Sequence, residues 1–455
     1  MLPTIHAAAE EIRQGRLSPV DLVKLCLERI DRCEDRVHAW VLIDREGALA
    51  RAEECAREIA QGGWRGPLHG IPLAIKDIFD VFDWPTAAGS RLWKNSIARQ
   101  DAPAVRRLRQ AGAVFLGKTV TTQYASFDPP PTRNPWNLAR TPGGSSSGSA
   151  AALACGMCLG ALGSQTGGSI TRPASYCGVA GCKPSHGRVS TEGVVPLAPS
   201  MDHVGPMARC VRDLEILLNA IADPLDTSRA KLGDESNPAV RLEQPPRLGR
   251  LRGQFDHRAD SAVAEMMQQV CERLGQKGAT IVDVPEPAAF AEVLPRHQTI
   301  MAVEAATYHG ERLRRHPEDY DPRIRALVEE GLGYPATEYA RCMKHQTLLV
   351  YEMSCCITFL DALLTPATTR PAPDAATTGD PAFNSPWSYT GFPTISFPVG
   401  LSADGLPLAI QLVGPLWRER KLFSAALWCE EALGVALGEP PVVQPSPSRS
   451  RSAAE

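Results

Sequence analysis

Lysine is scarce in this chain. Of 48 basic residues only nine are lysine, so a lysine kept in an apolar setting stands out. Aromatic residues are few, at 6%, and no basic cluster interleaves with them. With a net charge of −3, this argues against a nucleic-acid partner. No apolar run approaches the ~20 residues of a membrane-spanning helix. The first residues, MLPTIHAAAEEIRQG, lack the basic-then-apolar order of a secretory leader. The expectation is a cytoplasmic protein without a membrane partner.

Cysteine is not among the absences. Thirteen are present, several within apolar segments (Cys26, Cys177, Cys271, Cys429), which reads as small buried thiols in a reducing compartment. Cys155 and Cys158 have CxxC spacing, but no second CxxC or HxxxH accompanies them. Metal or redox chemistry is therefore disfavoured. A length of 455 residues admits two or three domains or one large α/β domain, and 44% hydrophobic with 22% charged residues is ordinary for a globular protein.

Along the chain, residues 5–62 carry helical periodicity, with Val20, Val23, Leu27 and Ile30 recurring after a Ser18-Pro19 start signal. The spacing predicts a strand and its exit over 70–81, a helix over 102–110, a buried strand over 113–116 and a helix over 149–160. Helix and strand then alternate to about residue 222, as in a mixed or parallel sheet with covering helices. A polar, Pro-rich surface excursion follows from Pro224 to Pro246. Beyond it come a β-α-β unit over 247–284, a mostly helical stretch over 290–360 and a hairpin formed by 394–400 and 407–414.

Two motifs mislead. Gly112-Ala-Val-Phe-Leu-Gly117-Lys118-Thr119 matches the phosphate-loop pattern, yet its intervening residues are strand-forming and a helix precedes them. Gly144-Ser145-Ser146-Ser147-Gly148 matches the nucleophile elbow of α/β-hydrolases, which requires a hydrophobic strand directly before it; NLARTPG stands there instead. Asp361 is a candidate acid for that fold, but the last histidine, His345, precedes it. Asp202 and His203 are adjacent and pair poorly.

The informative stretch is PGGSSSGSAAALACGMCLGALGSQTGGSITRPAS, Pro142 to Ser175. A flexible linker would not enclose an apolar segment between two Gly-Ser turns. Glycines permit close backbone approach and serines supply hydroxyls, which suits a serine-hydrolase site.

Three segments resemble the amidase signature family: Gly70-Ile-Pro-Leu-Ala-Ile-Lys76-Asp77, GlyGlySerSerSerGlySer (143–149), and Gly163-Ser-Gln-Thr-Gly-Gly-Ser169 followed by ArgProAlaSerTyrCysGly. The resemblance continues through Lys183-Pro184, Ser200-Met-Asp202, Gly205-Pro206 and TrpSerTyrThrGlyPheProThrIleSerPheProValGly. It implies Ser169 as nucleophile, Ser145 as a bridging serine after a cis peptide bond and Lys76 as base. Backbone amides of Thr166, Gly167, Gly168 and Ser169 would form the oxyanion hole. The chemistry suits these residue types: a serine hydroxyl needs a base, and a lysine must be desolvated to act as one near neutral pH. Taken alone, Lys76 reads as a solvated lysine or a partner of Asp77, and Ser145 and Ser169 as helix caps.

Within the family the chain is most similar to stand-alone, malonamidase-like amidases, through residues 121–129, the triple serine 145–147 and the run from Gln165 to Arg172. The alternative is the transamidating component that works on misacylated tRNA, which usually carries Asp at the position of Gln165 and Arg at that of Thr171. Arg172, three residues beyond the nucleophile, is implied to bind a substrate carboxylate; the other reading is a structural ion pair. The implied fold is α/β: a single large domain, with a central mixed β-sheet covered by helices on both faces. It would span 1–440, with a helical region to about 65, a signature core over about 66–222 and a C-terminal part over about 246–440. Residues 441–455 would form a disordered tail. The expected protein is a homodimeric hydrolase of a small-molecule amide, with no metal or cofactor.

Overall fold

The computed structural model describes residues 2–225, 239, 242 and 244–444. Its architecture follows from buried strand segments that pair into one sheet of 11 strands: β1 (Trp40–Ile43), β2 (Pro72–Lys76), β3 (Val114–Thr119), β4 (Gly160–Gln165), β5 (Ala180–Lys183), β6 (His203–Ala208), β7 (Arg247–Leu251), β8 (Thr280–Val284), β9 (Ala362–Pro366), β10 (Thr394–Leu401) and β11 (Pro407–Val413). The order across the sheet is β1-β3-β2-β4-β6-β5-β10-β11-β9-β7-β8. Strands β3, β2 and β4 run parallel, as do β9, β7 and β8, while the strands between alternate in direction. Every residue of β2, β3 and β4 is buried, as expected where both faces of a sheet are covered. The sheet is thus mixed, as expected.

The helix Pro19–Val37 starts where Ser18 Oγ accepts from Val20 N at 3.2 Å. The expected helical region 5–62 is interrupted, however. β1 lies within it and pairs antiparallel with β3, because the aromatic and branched run Trp40-Val-Leu-Ile favours an extended edge position over another helical turn. The predicted strand at 113–116 continues to Thr119, which puts Gly117, Lys118 and Thr119 inside a strand and removes the loop a phosphate cradle requires. A Cβ on Gly117 would lie 2.0 Å from Leu42 O, so the glycine admits β1 alongside.

The helix expected at 149–160 runs Ser147–Ala154 and ends at Cys155, with Gly156 at φ +70°; β4 follows. The β-α-β unit forms as read, with helix Ser261–Gln276 between parallel β7 and β8. Helices Val293–Arg315, Pro322–Gly333 and Ala336–Ile357 occupy the stretch read as helical, and β10 and β11 make the expected antiparallel hairpin. Most of the excursion between Pro224 and Pro246 lies outside the described residues, as do 445–455 of the tail. Pro441–Val443 form a short turn that buries Val442 and Val443.

Candidate active site

β2 and β4 are adjacent and parallel, so their C-terminal ends lie side by side, the usual place for a site in an α/β sheet. β2 ends at Lys76 and β4 at Ser164-Gln165. Lys76 is fully buried, and its Nζ donates to Ser145 Oγ and Ser164 Oγ, each at 2.7 Å. Burial holds the amine well below the ordinary lysine range, against a smaller opposing pull from the Asp202 carboxylate. The predicted alternative, a Lys76–Asp77 pair, does not form. Asp77 pairs instead with Lys118, Nζ to Oδ1 at 2.9 Å.

The triple serine is spread by its turn into three directions. The Gly144–Ser145 peptide is cis, and Ser145 Oγ faces Lys76. Ser146 Oγ donates to Ser164 O and accepts from Ser164 N, both at 3.3 Å. Ser147 Oγ donates to Gly143 O at 2.8 Å. Ser146 N also donates to Ser169 O at 3.2 Å, so the two Gly-Ser turns are joined backbone to backbone.

In the second turn, every carbonyl from Thr166 to Ser169 is occupied. Thr166 O accepts from His297 Nε2 at 2.8 Å, Gly167 O from Ser388 Oγ at 3.4 Å, Gly168 O from Arg172 N at 2.9 Å, and Ser169 O from Ser146 N. Among the described residues, the amides of Gly167, Gly168 and Ser169 donate to no protein acceptor. Ser169 Oγ likewise has no side-chain partner there. Gln165 holds the turn from below: its Oε1 accepts from Ile170 N and Thr171 N at 3.0 Å and from Thr171 Oγ1 at 3.1 Å, capping the helix Thr171–Cys177.

The amidase family profile matches residues 21–423. The chain belongs to the amidase signature family. It is 33% identical to a glutamyl-tRNA(Gln) amidotransferase subunit of Geobacter metallireducens, over 94% of this chain and 97% of that protein. It is 34% identical to AmiD of Mycobacterium bovis, named as an amidase, over 95% of each. A solved amidase structure superposes with a TM-score of 0.85 at 32% identity, covering 94% of this chain and 99% of that one.

Arg172 is buried and forms no ion pair with a carboxylate among the described residues. Its Nη2 donates to Gly144 O at 2.8 Å and Thr378 Oγ1 at 3.4 Å, while Nε and Nη1 are buried without partners. The structural ion pair weighed from sequence thus does not form among the described residues. Asp202 and His203 do not pair, as expected: Asp202 accepts from Thr166 Oγ1, Leu197 N and Ala198 N, whereas His203 Nδ1 faces Met201 O and Gln165 O. Cys155 and Cys158 are buried thiols whose pKa burial pushes well up.

Sequence reasoning missed Ser164, Asp202, His297 and Ser388. Ser164 lies inside the quoted nucleophile turn, and Asp202 and Ser388 inside quoted segments, so position could have raised them. His297 belongs to no motif, and only its burial against Thr166 identifies it. A cavity of about 160 Å³ adjoins the site, lined by Ser164, Thr166, Asp202 and His203 with Val195, Pro196 and Leu197.

Proposed function

We propose that this chain hydrolyses a small-molecule amide to a carboxylic acid and ammonia or an amine through an acyl-enzyme on Ser169. The observation carrying this reading is the buried Lys76 amine resting on Ser145 Oγ at 2.7 Å, with no carboxylate in contact among the described residues. A lysine whose charged form is disfavoured by desolvation retains a lone pair near neutral pH. Ser145 can donate its proton to that lone pair while accepting the proton of Ser169.

Ser169 Oγ then bonds to the amide carbon as its proton moves through Ser145 to Lys76. The carbonyl oxygen becomes an oxyanion, which the free amides of Gly167, Gly168 and Ser169, with Thr166 at the turn's start, are disposed to receive. On collapse the C–N bond breaks, and the proton held by Lys76 returns through Ser145 to the leaving nitrogen. Water repeats the sequence on the ester, releasing the acid and restoring Ser169. The substrate reading extends to a carboxylate-bearing amide, because the unpartnered Nε and Nη1 of Arg172 are suited to an anionic acceptor.

A second reading is supported by the relatives named as glutamyl-tRNA(Gln) amidotransferase subunits: a component that releases ammonia from glutamine for a partner's site. Gln165 and Thr171, in place of the Asp and Arg usual in that branch, favour the stand-alone hydrolase. An amide panel assayed with mass detection of acyl-Ser169 tests the first reading. Turnover by Ser169→Ala would sink it, and glutaminase activity appearing only with partner proteins would favour the second. We further propose a cytoplasmic homodimer, which sedimentation of the purified protein tests.

A further inference from the structure

We infer that His297, with Ser388 behind it, is a positioning residue that sets the peptide planes of the 166–169 turn so that its amides face the reacting carbonyl. This rests on the acyl-enzyme reading above and deepens it. In a trans peptide the C=O and the following N–H point in opposite directions. Whatever draws the Thr166 carbonyl to one side therefore turns the Gly167 amide to the other, and whatever draws the Gly167 carbonyl turns the Gly168 amide. His297 does the first at 2.8 Å and Ser388 Oγ the second at 3.4 Å.

The direction of the His297 bond is unambiguous, since a carbonyl oxygen only accepts and Nε2 must therefore carry the proton. The ring also lies close against the turn: a Cβ on Gly167 would meet His297 Cε1 at 3.5 Å and Ser385 Oγ at 3.4 Å. Burial pulls the imidazole down to about 4, which keeps it a neutral donor over the working range.

The helix carrying His297, Val293–Arg315, grips a second element of the site. Glu304, two turns along the same face, accepts from Ser200 N at 2.9 Å and from Tyr339 Oη at 2.8 Å. Ser200 begins the segment that delivers Asp202 to Thr166 Oγ1. Thr166 is thus held by its carbonyl from this helix and by its hydroxyl from a loop that the same helix anchors. A free Gly-Gly turn would sample many orientations; these tethers restrict it to the one in which the amides are unoccupied.

The test compares His297→Gln with His297→Met in the full-length protein. The two side chains are close in size and differ in whether they can donate. Kinetics on one hydrolysed primary amide are read beside the labelling rate of Ser169 by a fluorophosphonate and the melting temperature. His297→Met should lose about 10-fold or more in kcat and in labelling rate with KM within about 2-fold, since misplacing an oxyanion donor costs transition-state rather than ground-state binding. His297→Gln should recover most of that loss.

Wild-type kcat in His297→Met, equal impairment of both variants, or a loss confined to KM would overturn the inference. Should His297→Met fail to fold, Ser388→Ala frees the next carbonyl from a separate helix and should give the same kcat-only loss; unchanged kcat there would overturn it equally. Failure of the acyl-enzyme reading is distinguishable, because wild-type protein would then resist the fluorophosphonate altogether.

Discussion

Asp77 pairs with Lys118 on the neighbouring strand, 2.9 Å from Nζ to Oδ1, and not with Lys76, its neighbour in sequence. Successive side chains leave a strand on opposite faces, and Asp77 turns away as β2 ends. β3 then offers a buried lysine whose charge needs an acid. The consequence falls on Lys76: buried, and without a carboxylate in contact among the described residues, it has two serine hydroxyls for company.

Lys76 carries a pH signature. In the proposed role of base it must be unprotonated, so kcat/KM should fall as pH drops through its pKa, and that limb should lie well below the ordinary lysine value of ~10.4. Lys76→Ala should lower kcat by at least ~10³-fold, and near-normal turnover would remove the role.

The same shift bears on stability. A buried neutral lysine binds a proton more readily when unfolded, so it weakens the fold below ~10.4, and this penalty fades as pH rises through that value. Lys76→Met should therefore melt higher than wild type at pH 7, with the difference shrinking near pH 10. Calorimetry at the two pH values checks the sign.

Ser164→Ala leaves the Lys76 amine with one hydroxyl partner. A hydrogen bond to a group that becomes charged is worth ~1.5–3 kcal/mol, so kcat should fall about 10- to 100-fold with little change in KM. Ser164→Thr, which keeps the hydroxyl, should stay close to wild type. Steady-state kinetics on a single amide would separate the two variants.

Arg172→Ala should act on two parameters. Loss of the Nη2 bond to Gly144 O loosens the serine turn and lowers kcat for every amide. Loss of the unpartnered Nε and Nη1 should raise KM about 10- to 100-fold for amides bearing a carboxylate only. Equal KM effects on acidic and neutral amides would assign the residue to the turn alone.

Two glycines separate local propensity from tertiary packing. Helix propensity favours Ala over Gly by ~1 kcal/mol at either helical position. A Cβ on Gly275 meets nothing within 4 Å, whereas one on Gly148 would lie 2.2 Å from Ala39 O and 2.5 Å from Val120 N. Gly275→Ala should raise the urea midpoint slightly. Gly148→Ala should lower it, by ~1–3 kcal/mol or more in stability, because backbone cannot retreat as a side chain can.

Much of this protein was legible before folding. Periodicity and punctuation located β2, β3, the β7–β8 unit and the final hairpin, because alternation and apolar runs are local properties of a chain. The serine turns and Lys76 stood out because the proposed chemistry calls for those residue types, the resemblance paired them, and the fold brings Lys76 onto Ser145. β1 was hidden inside a longer helical pattern, since an edge strand is chosen by the partner it meets. What no local pattern carries is the choice among equivalent donors and acceptors: Lys118 rather than Lys76 for Asp77, Ser164 as a second contact for the amine, and His297 for a carbonyl 131 residues away. Those choices arise from burial, which forces each polar group to find whichever partner the packed helices and sheet bring within reach.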